Sequence, residues 1–211
     1  MGLMSRFFTQ WRKPTGRLGR VLAAVLNASH SRGTAWGLKH IPIEKNSIIL
    51  DVGCGGGGFI RGLARVIITG RVYGIDYSND CVTVARKTNR REIKMGHVEI
   101  LHGSVSSLSF PDRMFDIVTA VNSHYYWPNL VSDMQEVLRV LKLGGYLVLI
   151  GESYRGGKYE KRDRKFLESV NAAQYSIKEL ADLVSSTGYS DVQMFEEYEK
   201  GWLCCVSRKP S

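Results

Sequence analysis

Two carboxylates and a cluster of glycines carry the first chemical signal. Residues Ile48 to Ile60 read I-I-L-D-V-G-C-G-G-G-G-F-I. A short apolar run ends in Asp51, glycines follow at once, and a helix-like pattern begins at Phe59. Strand, tight turn and helix in that order present backbone N–H groups to a ligand at a helix N-terminus. Side chains at Gly53, Gly55 and Gly57 are expected to block that approach, and glycine also accepts positive φ. The spacing fits two cofactor types. Gly53, Gly55 and Gly58 satisfy the dinucleotide pattern G-x-G-x-x-G, whereas Gly53, Gly55 and Gly57 satisfy a tighter G-x-G-x-G. Asp51 breaks the tie. A carboxylate there repels a pyrophosphate but suits a cofactor with a positive sulfur and an amino-acid end. The plainer alternative is that Asp51 only ties down the turn by hydrogen bonds.

The second acid is Asp76, which ends R-V-Y-G-I-D 19 residues after Gly57. In a doubly wound sheet an acid near that distance accepts hydrogen bonds from ribose hydroxyls. A helix cap is the other role open to it, but Ser78 can cap the following helix alone.

Asn122 to Trp127, N-S-H-Y-Y-W, puts one histidine and three aromatics directly after an apolar strand. Aromatic faces attract cations, and imidazole titrates near neutral pH. The same residues would also serve as a hydrophobic loop that packs the next helix on the sheet.

The elements that position these residues alternate. Strands are expected at 47–51, 71–76, 97–102, 115–121 and 146–150, with helices at 58–68, 79–94 and 129–141. That order implies a parallel sheet with helices on both faces. The Ser-rich link from His102 to Phe115 is too short for a full crossover helix. Ser176-Ile177-Lys178-Glu179 is a capping box that opens a helix to Thr187, with Gly188 as its stop. Strands at 191–196 and 201–207 have so short a link that they must form an antiparallel hairpin. The fold class is therefore α/β, with seven expected strands, a parallel sheet covered by helices and an antiparallel hairpin at the end. Glu152 to Arg164 is polar and holds two glycines, and reads as a loop or lid reaching to 170.

Four ordered segments carry a resemblance. They are Asp51 to Gly57, Gly74-Ile75-Asp76-Tyr77-Ser78, Phe115-Asp116-Ile117-Val118 and Leu141-Lys142-Leu143-Gly144-Gly145. Together they resemble the motifs of the class I S-adenosylmethionine-dependent methyltransferases from Ile48 to the C-terminus, a resemblance that implies a Rossmann-like fold: a doubly wound, mostly parallel, seven-stranded sheet with a terminal antiparallel strand. Gly16 to Arg20, Asn27, His30 and Trp36-Gly37-Leu38 also resemble small prokaryotic members acting on small molecules. The resemblance implies S-adenosylmethionine as cofactor and S-adenosylhomocysteine as product. It makes Asp51, Gly53, Cys54, Gly55, Gly57, Asp76 and Tyr77 cofactor-binding, with Asp76 on the ribose, and puts Ser104 and Val105 by the adenine. Asn122 is placed to reach the amino-acid end. Ser104 stands where members often carry an acid, and Leu143 replaces a frequent proline. Asn122 lacks the proline pair of nucleic-acid adenine methyltransferases, which argues against a base-flipping pocket.

Methyl transfer is a direct displacement, so the protein must align nucleophile, methyl and sulfur and exclude water. A base matters only if the nucleophile starts protonated. The candidates are His124, then His30, with Tyr126 and Glu152 behind them.

The 211 residues suit one domain, and 44% hydrophobic with 23% charged content is ordinary for a globular protein. No apolar run approaches the roughly 20 residues that span a bilayer. The four cysteines lack metal-ligand spacing, no metal site is expected, and free thiols suit a reducing cytoplasm. The net charge of +9 is concentrated in a leader. Residues 1–43 hold seven Lys/Arg and no acid, which leaves +2 for the rest. That start imitates a transit peptide, but Asn27 to Leu38 looks like part of the enzyme. Residues 1–43 are expected to form a helical cap over a cofactor-binding domain at 44–211. The expected function is methylation of a small molecule. The rivals are an RNA methyltransferase, a non-catalytic cofactor-binding module and a nicotinamide oxidoreductase. The basic leader suits an anionic acceptor, or brief contact with an anionic membrane and a lipophilic one. Neither the acceptor atom nor the oligomeric state follows from these residues.

Overall fold

A computed structural model of the chain describes residue 16, residues 31–170 and residues 172–211. Most of the cap expected over 1–43, with Asn27 and His30, lies outside the described residues.

The elements run α1 (Ser31–Gly37), a 3₁₀ turn (Leu38–His40), β1 (Ile48–Val52), α2 (Gly58–Leu63), β2 (Arg71–Asp76), α3 (Asn79–Thr88), α4 (Arg90–Lys94), β3 (Val98–His102) and β4 (Phe115–Val121). A second 3₁₀ turn at His124–Tyr126 leads to α5 (Leu130–Val140), β5 (Leu141–Gly151), α6 (Glu160–Ser169), α7 (Ile177–Ser186), β6 (Ser190–Glu197) and β7 (Trp202–Arg208). The seven strands form one sheet in the order β3-β2-β1-β4-β5-β7-β6. Only β7 runs antiparallel to its neighbours, pairing Tyr146 with Arg208 and Val206 with Gln193. The order reverses between β1 and β4, the switch point beside which open sheets bind ligands.

Adjacent residues on the central strands point to opposite faces, and each face has its own core. Leu50, Val118 and Cys205 pack with α5 and α7 through Met134, Val137 and Val184. Ile49, Ile117 and Cys204 pack with α2 and α3 through Ile60, Leu63, Val82 and Ala85. Burial of both faces explains why these strands read as continuous apolar runs. Both halves of the capping box at Ser176 and Glu179 are made.

Several boundaries differ from the sequence reading. The helix expected over 79–94 breaks at Asn89 into α3 and α4, because Asn89 folds its side chain back on Gly57 and Ala85. The helix at 58 ends at Leu63, not Ile68. Strand β5 starts at Leu141, five residues early, since Gly144 at φ 73° and Gly145 continue the pairing through Lys209. The polar segment read as a loop carries α6. Its one buried apolar residue, Leu167, is too little to show a helical period. No described helix is long and apolar enough to cross a membrane.

Candidate active site

The carboxyl ends of β1 to β4 open on one cavity of about 540 Å³. Of the residues named from sequence, Asp51, Gly53, Cys54, Gly55, Asp76 and Tyr77 line it, as do Ser104, Val105, Asn122 and Tyr126. Gly57, His124 and Glu152 do not line it, and none of residues 152–170 does either, so the segment expected as a lid contributes no wall. From the N-terminal side, Thr34, Ala35 and Leu38 close one edge.

The glycine turn is strapped to the tip of β2. Gly53 N and Cys54 N both donate to Ile75 O at 2.9 Å, and Gly55 N donates to Asp76 Oδ2 at 2.9 Å. Asp76 Oδ1 accepts from Ser78 N at 2.8 Å. Tying down the turn, the plainer role considered for Asp51, thus falls to Asp76. Each Asp76 oxygen retains acceptor capacity toward the cavity.

The three glycines are needed for different reasons, and this corrects the expectation of one shared reason. A Cβ on Gly53 would stand 2.5 Å from Ser123 Cβ, and one on Gly57 would stand 2.9 Å from Ala85 Cα and 2.5 Å from Asn89 Nδ2. Both glycines admit protein neighbours. Only Gly55 faces open space, with nothing within 4 Å of the added Cβ. Asn89, fully buried, donates from Nδ2 to Gly57 O at 2.9 Å and holds the turn from α3. Sequence reading missed Asn89 and Ser123 because their partners are 32 and 71 residues away.

Asp51 is 2% exposed and sits level with Thr119 in the β1–β4 register. Thr119 Oγ1 donates to Asp51 Oδ1 at 2.9 Å. Burial pushes the Asp51 carboxyl up to about 7, the Thr119 hydroxyl opposes that rise, and the Asp76 charge adds to it. Asp76 is also raised, chiefly by burial, against the Ser78 and Gly55 amides. Burial likewise raises the Cys54 thiol, so it stays protonated at neutral pH.

The chain leaves β4 through Asn122 in a left-handed conformation, φ 50°, uncommon for any residue but glycine. Asn122 Oδ1 accepts from Glu152 N at 2.9 Å, which joins the tips of β4 and β5. That kink turns His124 inward. It is 4% exposed, its ring centroid lies 4.0 Å from that of Tyr125, and its Nδ1 has no hydrogen-bond partner. Burial lowers its pKa to about 3. This placement runs against the general-base role expected of His124, since the ring is neutral and off the cavity wall. Tyr126, Trp127 and Pro128 turn the other way and face the cavity. His30, the second base candidate, lies outside the described residues. The motif acid Asp116 sits at the far end of β4 and is structural, accepting from Ile48 N at 2.8 Å and Lys142 Nζ at 2.7 Å.

These residues fit a phosphate-free nucleoside that carries a cation. Open space above Gly55 admits a backbone-hugging ligand, and two buried acids face it with no Lys, Arg or His among the described lining residues. A diphosphate would meet only like charge. No group of His, Cys, Asp or Glu able to hold a metal occurs among the described residues.

Comparison with known proteins agrees. Residues 50–149 match the family model of the methyltransferase domain. The chain is 29% identical over 192 residues to the demethylmenaquinone methyltransferase of Anoxybacillus flavithermus, a match covering 79% of this chain and 81% of that protein. It is 32% identical over 138 residues to the demethylmenaquinone methyltransferase of Listeria welshimeri, covering 65% of this chain and 57% of that protein. Among solved structures, an Aquifex aeolicus SAM-dependent methyltransferase has the same fold, with a TM-score of 0.71 at 20% identity, covering 89% of this chain and 97% of that one. Ordered motifs, a sheet that reverses where the acids and glycines converge, and these relatives lead to one conclusion: residues 50–149 form a methyltransferase domain of the class I S-adenosylmethionine-dependent type.

Proposed function

We propose that this methyltransferase acts on an apolar, ring-containing small molecule. One observation carries the reading. The cavity that begins at Gly55 and Asp76 continues without interruption to a wall of Leu38, Tyr126, Trp127 and Pro128. Bound there, S-adenosylmethionine supplies an activated methyl group. In this reading Asp76 accepts from the ribose, Tyr77, Ser104 and Val105 flank the adenine, and Asp51 and Asn122 face the amino-acid end. Residues 31–40, the described part of a cap at 1–43, close the edge with Thr34 and Leu38.

The chain's own work is alignment and exclusion of water, which contributes roughly 7–11 kcal/mol when geometry is held. An acceptor that enters already electron-rich needs only this alignment, and of the base candidates Tyr126 lines the cavity. The relatives, by name demethylmenaquinone methyltransferases, favour a quinone-type acceptor in its reduced, hydroquinone form, whose electron-rich ring takes the methyl group and releases a proton. A rival RNA substrate draws support from a basic groove of Arg61, Arg65, Lys87, Arg90, Arg91 and Lys94. That groove, however, includes Ile68 and His97, just before β2 and β3, at the end of the strands opposite the cavity.

Incubation of the purified chain with labelled donor and either chemically reduced demethylmenaquinone, kept under anaerobic conditions, or total RNA tests the reading. Label in the quinone fraction supports it, and label in RNA alone rejects it.

A further inference from the structure

We propose that the basic face built by α2, α3 and α4 is a docking surface for an anionic lipid bilayer, with Ile68 and Met95 as its apolar contacts. Docking there does not depend on which acceptor is methylated.

Six cations gather on this face. Arg61, Arg65, Lys87, Arg90, Arg91 and Lys94 line one groove whose only acid is Glu92. All six are exposed, and none is in a salt bridge among the described residues. Exposed cations elsewhere in the chain do find acids: Arg71 pairs with Glu99, Lys142 with Asp116 and Arg155 with Glu179. The break at Asn89 shapes the face. Beyond it α4 packs Ile93 on the core and leaves Arg90, Arg91 and Lys94 outside.

Aliphatic side chains stand among these charges. Ile68 is 53% exposed and Met95 59%, both within the groove, and Val66 is 49% exposed. The loop after α2 holds its two outward. Ile67, buried in the core between them, anchors it. Ile68 N, Thr69 N and Gly70 N all donate to Lys45 O, at 2.7, 3.0 and 3.2 Å. The exposure of Ile68 is thus fixed by backbone and not left to a mobile side chain.

This mixture selects the partner. An anionic bilayer takes both parts, the cations at its headgroups and the aliphatic side chains in its interface. RNA recognition in single strands relies on aromatic stacking beside cations, and this groove holds no Phe, Tyr or Trp. The face starts at Arg61, whose neighbour Gly62 lines the cofactor cavity, and no residue lines both. Docking therefore leaves the cavity uncovered.

The test is sedimentation of the full chain with vesicles of phosphatidylglycerol and phosphatidylcholine, and with vesicles of phosphatidylcholine alone. Binding is expected to the anionic vesicles only, falling as salt shortens the screening length. Arg90→Glu, Arg91→Glu and Lys94→Glu together should lower the partition about a hundredfold, a factor of roughly five for each cation lost. Ile68→Ser with Met95→Ser should lower it about tenfold. Both variants should keep wild-type affinity for S-adenosylhomocysteine, which also shows that they fold. The four native cysteines are buried, so Met95→Cys can carry an environment-sensitive fluorophore. Its emission should shift to the blue on anionic vesicles, a readout that needs no charge reversal. No binding to anionic vesicles, or an unshifted fluorophore, would overturn the proposal. Wild-type binding by the charge-reversal variant would assign the lipid affinity to other residues and do the same, as would wild-type binding by the serine variant. RNA retained through the groove, with no vesicle binding, would put the rival partner in its place.

Discussion

Ser123 closes over Gly53. Its hydroxyl donates to Val52 O at 2.5 Å, so its Cβ occupies the space a Gly53 side chain would need. The first glycine of the turn answers to the β4 exit, whereas Gly55 answers to the ligand. Gly53→Ala should therefore destabilise the fold by roughly 2–4 kcal/mol, from overpacking added to its positive φ. Gly55→Ala should cost about 1 kcal/mol of stability yet weaken cofactor binding sharply. Melting curves with and without S-adenosylhomocysteine separate the two. Equal losses in both assays would contradict the distinction.

Asp51 also sets a pH dependence of the free protein. Its folded pKa of about 7 lies above the ordinary value of 3.8. The stability it contributes is present below about pH 4 and is lost as pH rises through 7. Asp51→Asn removes this loss, so the variant should be the more stable protein at pH 8, by on the order of 3 kcal/mol relative to its standing at acid pH. Urea midpoints of both proteins across pH 5 to 8 check the sign. A difference that shrinks as pH rises would be the wrong sign.

His124→Asn should keep turnover within about twofold and leave the pH–rate profile unchanged, because the neutral imidazole lies off the cavity wall. Its cost should appear in stability instead, since a buried ring packed at a tilt against Tyr125 is removed. Loss of one limb of the profile would restore a base role.

Asn89→Ala should weaken the glycine turn from behind. Two hydrogen bonds, to Gly57 O and Ala85 O, disappear together. About 2 kcal/mol of stability and part of the cofactor affinity should go with them. Unchanged cofactor affinity in a folded variant would show that the turn holds its shape without Asn89.

Trp127→Ala should raise the acceptor KM about tenfold while leaving the cofactor dissociation constant unchanged, as a lost apolar wall does. A rise in both would place Trp127 against the cofactor instead.

The class of fold and the cofactor end of the cavity were readable from the chain. Strand, acid and glycine turn are contiguous at 48–60, Asp76 ends its own strand, and both signals depend on local geometry. The capping box at Ser176 is local too, and both its hydrogen bonds are made. Helix α6 was not readable, because one buried leucine in a ten-residue helix leaves no period to detect.

What only the tertiary structure decided is which neighbours each residue meets across distant strands. His124 and Tyr126 are two residues apart in one aromatic run, yet the left-handed turn at Asn122 buries the first and points the second into the cavity. Thr119 looks like an ordinary strand residue until the β1–β4 register sets it beside Asp51. Local sequence encodes turns, caps and periods. Register, burial and the charge balance of a cavity arise only when segments dozens of residues apart exclude water from one another.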